Sequence, residues 1–246
     1  MQNPFRRWFG APPSVASDAI RDVREWAATQ GLRFATSKGA EGFVVEPGAG
    51  GWRLEWGPSQ RGYIEGFELR LRSDIGEAGD LQMLLASREL VTLLEREVYE
   101  KFTEGAQTRI DDQTPEEMRW LVLYPKMPRS ALPSFPDRFV VLANRPAAAP
   151  MRVEGALLQR LRGEQSWPDD AAPFVMVVQR GRFVLRTALA QPDPATLETA
   201  IALGAAAAAA ARHVGAEVAR GAIGSERPST WGAPSAMPAP DPDAPR

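Results

Sequence analysis

The chain reads as an α+β protein in which antiparallel β-hairpins or a meander pack on two long helices, with a hairpin–helix unit used twice. Three observations predict this. Apolar and charged residues alternate on both sides of a Gly/Pro-containing turn between Trp52 and Arg72, the pattern of a hairpin with one buried face. Two long stretches, about Asp80–Glu104 and Pro194–Arg220, have helical character. Strand runs and helices also segregate instead of alternating as regular βαβ units.

The elements follow in order. Residues 14 to 30 predict a first helix: Ile20, Val23, Trp26 and Ala27 recur at helical spacing, Ser14 or Ser17 is placed to cap it, and Gly31 stands where a C′ glycine belongs. A meander follows through Leu32 and Phe34, Phe43 to Glu46, Trp52 to Trp56 and Ile64 to Arg72, with a β-bulge expected where Glu65-Gly66 breaks the alternation. Met83, Leu84, Leu90, Val91, Leu94, Val98 and Phe102 make one broad apolar face on the Asp80–Glu104 helix. Thr114, Pro115 and Glu117 have the spacing of a capping box ahead of a short helical turn. Trp120 to Tyr124 then reads as extended. Phe139 to Leu142 reads as a buried strand, and Met151 to Leu161 as a short helix ending near Gly163. Phe174–Val178 and Arg182–Thr187 form a second hairpin, and Asp193-Pro194 opens the last helix with a cap and an N1 proline.

This order suggests a mobile segment over 1–13, α+β subdomains over 14–125 and 130–221 that can merge into one core, and a disordered Pro/Ala-rich tail over 224–246. A weak echo links the halves: Phe67-Glu68-Leu69-Arg70 resembles Phe183-Val184-Leu185-Arg186, each followed at the same distance by a leucine, Leu81 or Leu197.

Composition excludes several chemistries. The 246 residues hold 29 Lys and Arg against 31 Asp and Glu, well interspersed, so no large basic field attracts nucleic acid. No cysteine is present, which removes disulfides, thiolate nucleophiles and cysteine metal sites. The single histidine, His213, follows a polyalanine run late in a helix, where it complements the helix dipole. The Ile201–Ala211 run is too short and Ala-rich to span a bilayer. The Phe5–Phe9 segment offers only a minor membrane contact. A cytoplasmic location is expected, with no cofactor and no metal.

The candidate site lies in the first hairpin. Trp52, Leu54 and Trp56 share one face with Phe67, Leu69 and Leu71, and that face is expected to cover the Asp80–Glu104 helix. The other face carries Arg53, Glu55, Glu68, Arg70 and Arg72. Cross-strand ion pairing accounts for such a face. The functional alternative is a surface that docks a protein partner or small anionic ligand, because arginines suit carboxylate and phosphate groups. Ser59, Arg61 and Tyr63 in the connecting loop, with Glu68, Arg70 and Arg72, are the candidate binding residues. Replacing Arg70 and Arg72 by Glu is expected to spare the fold and abolish capture. Asp111, Asp112, Glu116 and Glu117 are dense in acid but lack the spacing of a calcium loop. Arg88 and Glu95 border the apolar helix face, placed to meet the sheet edge or a partner. The residues thus favour a non-catalytic binding or scaffolding protein. The alternatives are a hydrolase or lyase using carboxylates and arginines on an anionic substrate, and a peripheral membrane protein.

Overall fold

The strands are β1 (Arg33–Thr36), β2 (Phe43–Glu46), β3 (Trp52–Pro58), β4 (Phe67–Asp74), β5 (Met83–Ser87), β6 (Phe139–Ala143), β7 (Phe174–Gln179) and β8 (Arg182–Ala188). They form one antiparallel eight-stranded sheet in the order β1-β2-β3-β4-β8-β7-β5-β6. The helices are α1 (Ser17–Thr29), α2 (Arg88–Thr103), α3 (Glu116–Leu123), α4 (Ala149–Val153), α5 (Gly155–Arg162) and α6 (Pro194–Ala219). These come from a computed structural model that describes residues 17–37, 41–76, 82–103, 116–163, 167–168 and 172–220. The α+β class and the strand-rich meander are as the sequence predicts. The Phe5–Phe9 segment, the expected tail, the cap at Thr114 and the Asp111–Asp112 pair lie outside the described residues.

One face of the sheet is apolar across its whole width. Phe43, Val45, Leu54, Trp56, Leu69, Leu71, Met176, Phe183 and Leu185 are buried there against side chains of α1, α4, α5 and α6. An aromatic ladder runs along it, with Phe34, Phe43, Trp56 and Phe67 stacked at centroid separations of 5.5, 5.6 and 4.5 Å. The Trp56 indole donates to the Leu189 carbonyl at 2.8 Å, so its buried polar atom is satisfied.

The other face has two chemistries. On β5, β6 and β7 it presents Leu84, Ala86, Val140, Leu142, Val175 and Val177, which pack with Leu90, Val91, Leu94 and Trp120 of α2 and α3. On β3, β4 and β8 the corresponding positions are Arg53, Glu55, Arg70, Arg72, Val184 and Arg186. The change falls between β7 and β8.

Several expectations are corrected here. The stretch read as the start of a long helix holds β5, and α2 begins only at Arg88. Met83 to Ser87 are buried without exception, because β5 lies between β6 and β7 and both its faces are covered. A strand covered on both faces loses its period-2 alternation and reads like buried helix. The first hairpin's apolar face meets α6 and α1, whereas α2 lies on the opposite face. The expected hairpin–helix repeat is likewise not a matched pair: β5 intervenes after β4, while α6 follows β8 directly. Trp120 to Tyr124, expected to be extended, are mostly the helix α3, and Trp120 is buried against the sheet. No bulge occupies Glu65-Gly66; β4 starts at Phe67, and Ser59 donates its backbone N–H to the Gly66 carbonyl at 2.9 Å.

Other local readings hold. Gly31 adopts φ 65° beyond α1, with Gly31 N–H donating to Ala28 O and Leu32 N–H to Ala27 O, a Schellman ending. Asp193 caps α6 by accepting from Thr196 N–H at 2.9 Å, with Pro194 at N1. His213 is an exception: it is exposed on α6 but lies six residues before Ala219, outside the last turn, so the dipole role read from the sequence is not met. Arg88 donates to the Asp137 carbonyl and Glu95 pairs with Lys126, so both engage their own chain. The sheet ends differently on its two sides. At β6, Lys126 bridges Leu142 and Met127 N–H donates to Val141 O. No described strand pairs with the outer side of β1.

By length and composition α6 is apolar enough to cross a membrane, with 26 residues and mean hydropathy 1.3 in its most apolar window. One side of it packs into the core: Leu197, Ala200, Leu203, Gly204, Ala207 and Ala208 are buried. Its small residues let it come close to the sheet. A Cβ added at Gly204 would lie 2.3 Å from Leu71 Cδ2 and 3.2 Å from Phe183 Cε1. Gly204→Ala is therefore expected to destabilise by about 1–3 kcal/mol through overpacking, although alanine is favoured by about 1 kcal/mol in a free helix. At the adjacent exposed Ala205, the reverse change to Gly should cost about 1 kcal/mol. Urea denaturation of the two variants checks both signs.

Candidate functional site

Strand register builds the site. Across β3 and β4, Arg53 faces Arg72 and Glu55 faces Arg70; across β4 and β8, Arg70 faces Arg186 and Arg72 faces Val184. Two arginine pairs are thus directly opposed. Such pairs are destabilising unless acids intervene. Glu55 and Glu68 intervene. Glu55 Oε1 takes Arg53 Nε at 2.6 Å and Oε2 lies 3.3 Å from Arg70 Nε. Glu68 is 0% exposed, and its Oε1 receives Arg186 Nη1 at 2.7 Å with Arg70 Nη1 3.2 Å away. The Ser59 hydroxyl lies 3.3 Å from Glu68 Oε2 and also 2.9 Å from the Arg61 carbonyl.

The β3–β4 connection carries the site to α3. Ser59 Oγ accepts the Arg61 backbone N–H at 3.0 Å, which fixes the loop. Arg61 Nε then lies 3.3 Å from Glu117 Oε1 on the first turn of α3. The Tyr63 hydroxyl and Glu117 Oε2 are buried with no hydrogen bond. Burial, reinforced by Glu117, pushes the Tyr63 phenol far above its ordinary range, so it stays protonated. Burial lowers Arg186, and the neighbouring Arg61 charge lowers it further against the opposing pull of Glu68. For Glu55, burial pushes upward, but the Arg53 hydrogen bond and the Arg72, Arg70 and Arg53 charges outweigh it and hold the carboxyl below its ordinary value.

A cleft of about 900 Å³ opens over this network. Arg53, Arg61, Arg72, Arg180, Arg182 and Arg186 line it, against the carboxylates of Glu46, Asp74 and Glu117. Apolar contact is available from Trp52, Val177 and Val184.

The six residues singled out from sequence converge here, at different depths. Ser59, Glu68 and Arg70 form the buried or half-buried foundation, Tyr63 is buried behind Arg61 and Glu117, and Arg61 and Arg72 reach the cleft. Arg72 has a 46% exposed side chain and only a 4.0 Å approach to Glu55. Sequence reading missed Arg186 and Glu117 as members of the site. Arg186 was signalled by the echo: β4 and β8 pair so that Arg70 stands opposite its own counterpart. Glu117 was absorbed into a capping role. The structure also changes the expected outcome of the Arg70→Glu, Arg72→Glu replacement. Arg70 is 7% exposed and holds both Glu55 and Glu68, so an acid there would gather three carboxylates and cost stability.

Away from the cleft, Arg152 on α4 is buried with its three guanidinium nitrogens unbonded, and burial lowers it to about 10. No group of three or more His, Cys, Asp or Glu residues able to hold a metal occurs among the described residues. Comparison of the chain with protein-family models, curated proteins and solved structures finds no match.

Two outcomes follow. Glu68→Ala leaves Arg186 without its acid and Arg70 with Glu55 alone, and is expected to cost about 3–5 kcal/mol. The exposed Arg72→Ala should stay within about 0.5 kcal/mol of wild type; urea midpoints compare the two. The lowered Glu55 carboxyl contributes stability that is complete above its ordinary value of 4.5 and is lost as pH falls through the lowered folded value. Glu55→Gln should accordingly be less stable than wild type at about pH 7, with the gap narrowing as pH falls below the ordinary carboxylate value, when unfolding is followed as a function of pH.

Proposed function

We propose that the chain is a non-catalytic binding protein that docks an anionic partner across the arginine-lined cleft on β3, β4 and β8. The observation that carries this reading is the charge of the cleft lining, six arginines against three carboxylates in a chain whose net charge is −2. An excess of one sign in a concave surface attracts and orients the opposite sign.

The roles of the acids support binding over proton transfer. Glu55 has a depressed carboxyl and is a poor proton acceptor near neutral pH. Glu68 is wholly buried beneath two arginines. Both act as counter-charges that make the arginine array tolerable. Arginine forks suit carboxylate and phosphate groups in paired hydrogen bonds, which a lysine-bearing surface would not match.

Arg72, Arg180 and Arg182 are exposed, so they can be neutralised without disturbing the core. A fluorescein-labelled glutamate-rich peptide is expected to bind saturably, with affinity falling as salt rises. The triple change Arg72→Gln, Arg180→Gln and Arg182→Gln should weaken it about tenfold or more while leaving the melting temperature unchanged. Equal affinity of the wild-type and triple-variant proteins, read by fluorescence anisotropy, would remove this reading.

A further inference from the structure

Charge in the cleft is not evenly spent. Arg70 is drawn down between Glu55 and Glu68. Arg186 engages Glu68 through Nη1 alone, and Arg61 engages Glu117 through Nε. Arg72 approaches its nearest acid only at 4.0 Å. Three guanidiniums, from the β3–β4 loop, β4 and β8, therefore keep donors for a ligand. Arg72 and Arg186 are diagonal neighbours on one sheet face, since Arg72 faces Val184 and Arg70 faces Arg186. Diagonal neighbours lie roughly 7–8 Å apart, within reach of long side chains that converge on one group. Arg61 lines the same cleft as Arg72 and Arg186.

Counting the buried layer with the lining gives seven arginines and five carboxylates, an excess of two positive charges. One carboxylate neutralises half of that excess; a phosphate monoester dianion neutralises all of it and presents three oxygens to three forks. Building on the anion-docking reading above, we propose that Arg61, Arg72 and Arg186 form a receptor for a phosphoserine or phosphothreonine side chain of a partner protein. A polypeptide suits the cleft better than a small metabolite. The site is open to solvent and nine of its seventeen lining residues are charged, whereas small-molecule pockets enclose most of their ligand and carry only a few polar groups. The exposed Arg180 and Arg182 extend the positive rim beyond the three-arginine centre, where flanking residues of a segment would lie.

The test uses the full chain and three labelled peptides of one Gly/Ala/Ser sequence, carrying phosphoserine, glutamate or serine at the centre. The phosphoserine peptide is expected to bind about tenfold or more tightly than the glutamate peptide. Arg72→Gln should erase most of that preference. Arg186→Lys keeps the charge but loses the fork, and should do the same. Arg72 is exposed, so its variant keeps the experiment decisive if the change at Arg186 unfolds the chain. The titratable and charged groups around the phosphoryl are Arg61 with Glu117 and Tyr63, Arg72 with Glu55, Arg186 with Glu68 beneath it, and Asp74 on the cleft wall. Affinity for the phosphoserine peptide should rise as pH passes through about 6, where the phosphate becomes a dianion. Equal binding of the phosphoserine and glutamate peptides would overturn the phosphate assignment while leaving the anion-docking reading intact. Binding of neither peptide would overturn both. Free O-phosphoserine competing as strongly per mole as the phosphopeptide would overturn the protein partner.

Discussion

The Glu68 carboxylate makes the rest of the charged face possible. Arginines stand directly opposite arginines at two successive positions of the sheet, and the repulsion between them would open the ladder. Glu68 sits at the join of β4 and β8, takes a guanidinium from each strand on one oxygen, and is shielded from water. The β4–β8 pairing is also the seam between the two groups of strands, so an electrostatic contact and the continuity of the sheet rest on the same residue. A buried pair of this kind adds little net stability over an apolar substitute, but it is costly to break. Its value lies in allowing unspent arginines to stand above it.

The opposite face of the sheet is built by close approach. Leu71 and Phe183 leave room for a glycine on α6 and for nothing larger, and the alanines along that helix continue the smooth surface. The aromatic ladder from Phe34 to Phe67 fills the other end under α1. Rigidity on this side holds β3, β4 and β8 in register, and register places Arg72 diagonal to Arg186. Cleft geometry is therefore inherited from packing on the opposite face of the sheet.

Local chemistry was legible wherever one residue type has one physical use. Gly31 past α1, Asp193-Pro194 before α6 and the tight Arg180-Gly181 turn between β7 and β8 announce themselves. The period-2 pattern of β3 and β4 was legible too, because one of their faces carries charge. Met83 to Ser87 were not, since a strand enclosed by β6, β7 and covering helices presents the same run of apolar residues as a buried helix. Trp120 was misplaced for a related reason: an aromatic-rich stretch matches either a strand or the inner side of a short helix. At the site, Ser59, Arg61, Glu68, Arg70 and Arg72 were close in sequence and were found together. Glu117 and Arg186 are brought in by tertiary structure over separations of 56 and 118 residues, which no local pattern reports. The Phe-x-Leu-Arg echo hinted at Arg186, yet its meaning emerges only from the pairing that sets Arg70 against its counterpart.

The two edges of the sheet are blunted in different ways. At β6 the Lys126–Met127 segment occupies the outer ladder and stops further strand addition. At β1 the ladder has no described neighbour, but the strand is only four residues long, and its Arg33 is tied back to Glu46 of β2. A visiting strand would gain few backbone hydrogen bonds there and would meet a charged side chain, two recognised defences against edge-to-edge polymerisation. An eight-stranded sheet with a largely apolar face is thus kept from templating its own fibres by brevity at one end and a covering segment at the other.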